Sequence, residues 1–511
     1  MNRSINRRSL IFGGVSAGAL VATGLSLDGL LSGRRDFPLN NVARPLPTYG
    51  FAGGSDLYFS DATNISRTLD IAVAGVAGGI RFDIPWYYVQ NQQATFNWTI
   101  VDTIVAQANS RNLFVLGSIV SSPPWAAATN SGSPWVRPRS ATEYADFCAA
   151  VATRYRGQID AYEIWNEPNG TLFFSPSVDP VFYTSMVKAA YPKIKAVDPS
   201  VTVLAGALAQ TGTVGGNMSS NDFLSRMYAN GLAGSCDAVS FHPYDWSFST
   251  TFAQQMRTNG SAMRQAIDLH NLMKANGDGA KKLWASEFGV PTVGSVSQTT
   301  QNTLLVGSLQ QWQEVSFGGP LFIHGLRDRA TGSSNMEDVF GVATTAYEPK
   351  IALNGLNGLA RGGFPKRYEY QVFMQNVDSA LGSPVGPAFP QSYGYAQECE
   401  NGTRYATNHG FISSPTAVAA VARAWNVVPL SPLANGIQDM DVTGGFRVFT
   451  RSDLGTHAVY GAILAAWQAD MGFPKTDQYQ PSGTNGARVE FEFATITWTP
   501  GGGTVVTRVA A

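Results

Sequence analysis

Short apolar runs alternate with helical patterns from about residue 47 to 365. Runs rich in β-branched and aromatic residues predict strands at Thr48–Phe51, Gly79–Asp83, Phe114–Ile119 and Ile159–Trp165. Four more fall at Thr202–Ala207, Ala238–His242, Lys282–Glu287 and Pro320–His324. Between them, Val101, Ile104, Val105 and Ala108 recur at i, i+3, i+4 and i+7, the spacing of one helix face. The same spacing unites Tyr144, Phe147, Cys148, Val151 and Tyr155, and again Tyr183, Met186, Val187, Ala190, Tyr191 and Ile194. Ser140 and Asp179-Pro180 stand where helices should start. Eight β-then-α units predict an α/β protein, a (β/α)8 TIM barrel over residues 45–365. An open doubly wound sheet shares the alternation, but no G-x-G-x-x-G follows the first strand.

After Gly362 the alternation stops, and residues 375–511 show weak internal similarity. Gly410–Val418 is similar to Ala494–Pro500, GTHAVYGAILAAW to PTAVAAVARAW, and Met471–Pro474 to Ala388–Pro390. Such a period predicts a smaller repeat module behind the barrel. MGFP at 471–474 and ITWTP at 496–500 resemble the LGFP repeat, a module of exported actinobacterial proteins associated with their cell envelope. The resemblance implies retention at that envelope; a generic accessory domain is the other reading. Asp439 and Asp441 lack the glycine and terminal glutamate of a calcium loop and read as turn residues.

At the other end, Arg3, Arg7 and Arg8 precede an apolar, glycine-rich run from Leu10 to Leu27. This is the pattern of an export signal over residues 1–35, and Arg7-Arg8 resembles the twin-arginine type. An ordinary secretory signal or a weak anchor shares most of these features. No other stretch has 18 consecutive apolar residues.

Composition narrows the ligands. Only 14% of the 511 residues are charged, 11% are aromatic, and the net charge is −1. Nucleic-acid binding, which leaves a basic footprint, is not indicated. The 35 basic and 36 acidic side chains lose five arginines and Asp28 with residues 1–35, so the remainder stands at −5. Cys148, Cys236 and Cys399 are odd in number and without C-x-x-C spacing, arguing against a disulfide framework or a zinc site. The five histidines show no H-E-x-x-H spacing, so neither a metal nor a cofactor is expected. Nor does a G-x-S-x-G elbow or a Walker A sequence occur.

The chemistry concentrates in AYEIWNEPNG and KLWASEFGVPT. Glu167 follows one predicted strand and Glu287 closes another, and that end of a barrel is where catalytic groups converge. Two opposed carboxylates suit glycosidic cleavage, one protonated to help the leaving oxygen depart and one ionised to attack. Arg81, in GGIRFDIPW, is placed to keep the attacking group ionised. Structural carboxylates, a surface ion pair at Arg81 and a merely packed His242 are the competing readings.

With these residues the barrel resembles clan A retaining glycoside hydrolases of the family 39 and family 5 types. The resemblance implies Glu167 as acid/base at the fourth strand and Glu287 as nucleophile at the seventh. It also implies that Asn166 bonds the sugar 2-hydroxyl, that Arg81 is the second-strand arginine, and that His242 and Tyr244 form the sixth-strand His-x-Tyr with Tyr244 supporting Glu287. One departure stands out: the eighth strand reads PLFIHGLRD, offering His324 and Asp328 where the clan presents a tryptophan. Trp86, Trp125, Trp246 and Phe173-Phe174 are candidate stacking surfaces, although aromatics also fill cores. The expectation is an exported retaining hydrolase of a polysaccharide, with cell-wall arabinogalactan an attractive substrate. A transglycosylase and a non-catalytic wall-binding barrel are the alternatives.

Overall fold

The computed structural model describes residues 44–391 and 394–509, so the predicted signal at 1–35 lies outside the described residues. Eight parallel strands close a barrel in chain order: β1 (Tyr49–Gly54), β2 (Gly79–Pro85), β3 (Phe114–Val120) and β4 (Ala161–Ile164), then β5 (Thr202–Ala209), β6 (Ala238–His242), β7 (Leu283–Phe288) and β8 (Gly318–His324). Each overlaps its predicted run. The helices between them are α1 (Ala62–Ala74), α2 (Thr99–Ser110), α3 (Ala141–Arg154), α4 (Pro180–Val197), α5 (Ser220–Ala229), α6 (Ala262–Ala275) and α7 (Gln298–Trp312), with α8 (Ile351–Arg361) following β8. The expected starts are real caps. Ser140 accepts the Glu143 N–H at 3.3 Å, and Asp179 accepts the Phe182 N–H at 2.9 Å with Pro180 behind it.

Strand alternation sorts the side chains. On β2, Ile80, Phe82 and Ile84 join the shell beneath the helices, which also takes in Val101, Phe147 and Met186. Arg81 and Asp83 therefore face the barrel interior. The lower interior is plugged by Ala52, Phe114, Leu116, Ala161, Leu204, Ala238, Trp284 and Phe322. Above this plug the inward residues become polar, and that change of lining places the site at the C-terminal mouth. The three cysteines are free and buried.

A short helix, α9 (Tyr368–Met374), leads into three antiparallel units. The first pairs β9 (Phe389–Gln391), β10 (Gly394–Cys399), β11 (Gly402–Thr407) and β12 (Gly410–Pro415), and ends in α10 (Thr416–Ala424). The second holds β13 (Ile437–Met440), β14 (Phe446–Arg451), β15 (Gly455–Tyr460) and α11 (Gly461–Ala466). The last holds β16 (Ala487–Glu490), β17 (Ala494–Thr499) and β18 (Gly503–Arg508).

One backbone pairing recurs in all three units. Val385, Leu430 and Lys475 donate to the carbonyls of Glu398, Asp439 and Glu490 at 2.9, 2.8 and 2.7 Å. Glu400, Asp441 and Glu492 donate to the evenly spaced carbonyls of Ser383, Val428 and Phe473. Asp439 is thus a strand residue, ion-paired to Arg447, rather than a turn residue. The similarity between 410–418 and 494–500 does not mark equivalent positions, since Gly410–Pro415 is the third long strand of its hairpin and Ala494–Thr499 the second of its sheet. GTHAVYGAILAAW and PTAVAAVARAW do match, each carrying its unit's helix.

Ion pairs dock the first unit to the barrel. Glu398 is held by Arg264 of α6 and by Arg423, the latter at 2.8 Å. Glu314 accepts from both Arg367 and the Ala388 N–H.

Candidate active site

Arg81 is fully buried and organises the mouth. Its Nε donates to Glu163 Oε2 at 2.7 Å, its Nη1 to Glu287 Oε1 at 2.6 Å and its Nη2 to Asn166 Oδ1 at 2.8 Å. A guanidinium removed from water is costly unless its donors are met, and these anionic and amide partners meet them. Glu163 is the partner that sequence reasoning missed. It points inward two residues before Trp165 on β4, where the period-two pattern was the available signal.

Glu167 sits just past β4 on a bent backbone. Trp165 and Glu167 have φ of 68° and 45°, left-handed values that non-glycine residues adopt at a cost. The bend is held from β5, whose irregularity between Ala205 and Leu208 presents the Ala207 carbonyl to the Glu167 N–H at 3.0 Å. Glu167 Oε1 lies 3.1 Å from His242 Nδ1.

Glu287 receives more support. Arg81 binds one oxygen, and the Tyr244 hydroxyl donates to the other at 3.2 Å. His242 Nδ1 and His324 Nδ1 approach that second oxygen at 3.8 and 4.0 Å. Burial alone would raise this carboxyl, but the charges of His242, Arg81 and His324 and the Tyr244 hydrogen bond outweigh it and lower the pKa to about 2. His242 in turn is lowered by burial and raised more strongly by Glu287 and Glu167, so its net shift is upward.

The structure therefore brings Arg81, Asn166, Glu167, His242, Tyr244, Glu287 and His324 together. Arg81 and His242 have no exposed surface and touch carboxylates, so the expectation that they contact substrate directly is corrected to a positioning place. Trp86 is also corrected. It is fully buried at the start of a helical turn, stacked on Phe147 at 5.3 Å, and offers no face to a sugar. Phe174 is buried against Trp165, and Asp328 is locked to Lys350 at 2.7 Å. Trp125 and Trp246 are only partly buried; Trp246 stacks on Tyr244 at 5.0 Å. His324 packs against Phe340 instead of presenting a broad platform.

A second cluster of rings lies where β1 and β2 open into their loops. Phe59 and Tyr88 are exposed and meet edge to face at 5.2 Å, with Tyr58 beside both.

An eight-strand barrel with two glutamates at neighbouring depths of its mouth, one clamped by arginine and tyrosine, defines a glycosidase-type barrel. The family comparison agrees: residues 51–315 match the cellulase family, glycosyl hydrolase family 5. The chain belongs to that family and is a glycoside hydrolase acting on O-glycosyl bonds. No curated protein sequence matches it. Among solved structures it is similar to a family 39 glycoside hydrolase from Bacteroides cellulosilyticus WH2, at 16% identity, with 82% of this chain and 80% of that one covered and a TM-score of 0.50. A family 39 enzyme from Xanthomonas axonopodis pv. citri matches at 14% identity over 70% and 72% of the two chains, TM-score 0.48. A family 39 β-xylosidase from Caulobacter crescentus matches at 15% identity over 72% and 77%, TM-score 0.47. At 16% identity the likeness to the first of these is one of fold.

Proposed function

We propose that the protein is an exported, retaining hydrolase of a cell-envelope polysaccharide, with Glu287 as nucleophile and Glu167 as acid/base. The observation that carries this reading is the unequal support of the two carboxylates. Glu287 is surrounded by Arg81, Tyr244, His242 and His324, a setting for a permanently ionised group. Among the described residues the Glu167 carboxylate has one side-chain hydrogen-bond partner, His242. Their spacing is compatible with direct attack. Both approach the same His242 nitrogen, so the two oxygens are at most the sum of 3.1 and 3.8 Å apart. Retaining pairs stand about 5–5.5 Å apart, whereas most inverting pairs are wider, about 6.5–9.5 Å.

In the first step Glu287 attacks the anomeric carbon as the glycosidic C–O bond breaks, and Glu167 gives its proton to the departing oxygen. In the second, Glu167 takes a proton from water, the water oxygen bonds the anomeric carbon, and the ester to Glu287 breaks. Asn166 gives its carbonyl to Arg81, which leaves its amide to donate to the sugar 2-hydroxyl. A sugar hydroxyl replacing water would make the protein a transglycosylase.

The substrate and address rest on the C-terminal units and residues 1–35. Three copies of one hairpin pairing, with MGFP in the last, support the LGFP-type reading and hence envelope retention. Cell-wall arabinogalactan is the proposed polysaccharide. Aryl glycosides test the chemistry. Glu287→Ala and Glu167→Ala should each lower kcat at least about 10³-fold, and azide should restore Glu287→Ala turnover with inverted configuration of the product. Unchanged turnover in Glu287→Ala would remove it as nucleophile. Absence of turnover in wild type, on every glycoside offered, would favour the non-catalytic wall-binding reading.

A further inference from the structure

The site contains a charged group that the steps above do not use. Asp83 faces inward from β2, one inward position above Arg81 toward the mouth, with Ser118 of β3 beside it. It is only 7% exposed. Among the described residues no hydrogen bond or ion pair reaches its carboxylate, although Arg81, Glu163, Glu287 and His242 all have partners. A buried carboxylate without donors is costly, and native structures keep such a group where something else supplies them.

The surroundings say what that ligand is. Arg81 stands below Asp83 with its charge matched by Glu163 and Glu287, and the ligand of a glycosidase mouth is a sugar rather than a cation. Glu287, Glu163 and Asp56 all act on Asp83 as like charges and disfavour an anionic one. Neutral donors remain. A carboxyl has two oxygens. Both accept when it is ionised, and one accepts while the other donates when it is protonated. In either state it suits two adjacent hydroxyls on one ring. The chain then runs directly from Asp83 through Pro85 into the turn Trp86–Val89, which carries exposed Tyr88 against Phe59. An apolar sugar face could rest on those rings while its diol edge meets Asp83.

We propose that Asp83 is a substrate-contacting, specificity-determining residue that binds a pair of neighbouring hydroxyls on a neutral sugar and disfavours uronic acids. The proposal rests on the glycosidase reading of this mouth and adds the class of sugar it takes.

Calorimetry with the full chain tests it without relying on turnover. The probes are methyl glycosides of glucose, galactose, mannose, xylose and arabinose, their monodeoxy analogues, and methyl glucuronide. Wild type should lose at least tenfold in affinity when either of two adjacent hydroxyls is removed, and Asp83→Ala should show no such penalty for the same analogues. At pH 8, where Asp83 is ionised, methyl glucuronide should bind wild type at least tenfold more weakly than methyl glucoside, and Asp83→Asn should narrow that gap. Asp83→Asn, close in shape, carries the comparison if the alanine variant does not fold. Equal deoxy penalties in wild type and variant would overturn the proposal, as would no binding of any methyl glycoside. Aryl-glycoside turnover, measured separately, judges the hydrolase reading: binding without cleavage would sink that reading and leave the sugar-binding role of Asp83 standing.

Discussion

Single residues in the mouth trade stability for chemistry. Burial raises the Asp83 carboxyl to about 7; Arg81 opposes the shift, while Glu287, Glu163 and Asp56 add to it. A carboxyl raised in the folded state is stable below its unfolded pKa and loses that stability as pH rises toward the folded value. Asp83→Asn should therefore melt higher than wild type, with a gain that grows from about pH 4 to 7 and then levels off near 2–4 kcal/mol. A gain that is flat with pH would contradict the assignment. The Tyr244 bond to Glu287 acts in the opposite sense. Tyr244→Phe should lower kcat/KM about 10- to 100-fold and move the acid limb to higher pH, because a donor to the ionised nucleophile is gone. Rate–pH profiles of both proteins check this. Glu167, Glu287, Arg81, His242 and Tyr244 were legible because each ends or interrupts an apolar strand beside a recognisable motif. Asp83 and Glu163 were missed although period two places each on an inward face, because no motif stands beside them to single them out. Trp86 misled for a different reason: a tryptophan at a strand end reads alike whether it lines the mouth or turns under it.

At the level of elements, periodicity carried nearly all of the barrel. Helix faces such as Val101–Ala108 and caps such as Ser140 are local signals, so their pattern survives in a single sequence. The β5 irregularity that aims Glu167 depends on close approach between strands, where a Cβ on Gly206 would lie 2.5 Å from the Ser240 carbonyl, and no local pattern encodes it. The repeat count was equally hidden. The units share a pairing scheme, but only the first and last keep the glycine that packs on the acidic residue: Gly382 on Glu400 and Gly472 on Glu492, with φ of 73° and 75°. Gly472→Ala should cost about 1–3 kcal/mol through that left-handed backbone and the crowded Glu492 side chain, and should leave aryl-glycoside kcat/KM unchanged. Docking between barrel and units has its own pH signature. Burial opposes ionisation of Glu398, but Arg264 and Arg423 outweigh it and its pKa is lowered. The stability it contributes is complete above the ordinary carboxylate value of 4.5 and declines as pH falls through the lower folded value. Acid should thus loosen the junction before the barrel, seen as earlier proteolysis between α8 and β9, and Glu398→Gln should show the same cleavage at pH 7.

For the whole molecule, low charge and abundant aromatics acquire two addresses. One is the barrel mouth. The other is a groove of about 380 Å³ between α10, β15 and residues 477–478, lined by Trp425, Tyr460, Thr456, Asp477 and Gln478. Trp425 is 51% exposed there, with one side on Phe446 and Tyr460. Trp467 at the matching helix end is instead partly buried on Phe449 and donates to the Gly472 carbonyl. Equivalent tryptophans in related units thus differ in exposure, and the more exposed ring beside polar groups suits a sugar face. If the units hold the enzyme on polysaccharide through such contacts, attachment is governed by stacking rather than by net charge, which is slightly negative over the body of the chain. Trp425→Ala should then lower the fraction of protein retained on purified envelope polysaccharide several-fold, with kcat/KM on small aryl glycosides unchanged. Raising salt from 0.05 to about 0.5 M should leave wild-type retention nearly constant, since exposed charge pairs would be screened over that range. Glu287→Gln should show the converse, full retention without turnover. Retention that collapses with salt and ignores Trp425 would assign attachment to charge and take the groove out of it.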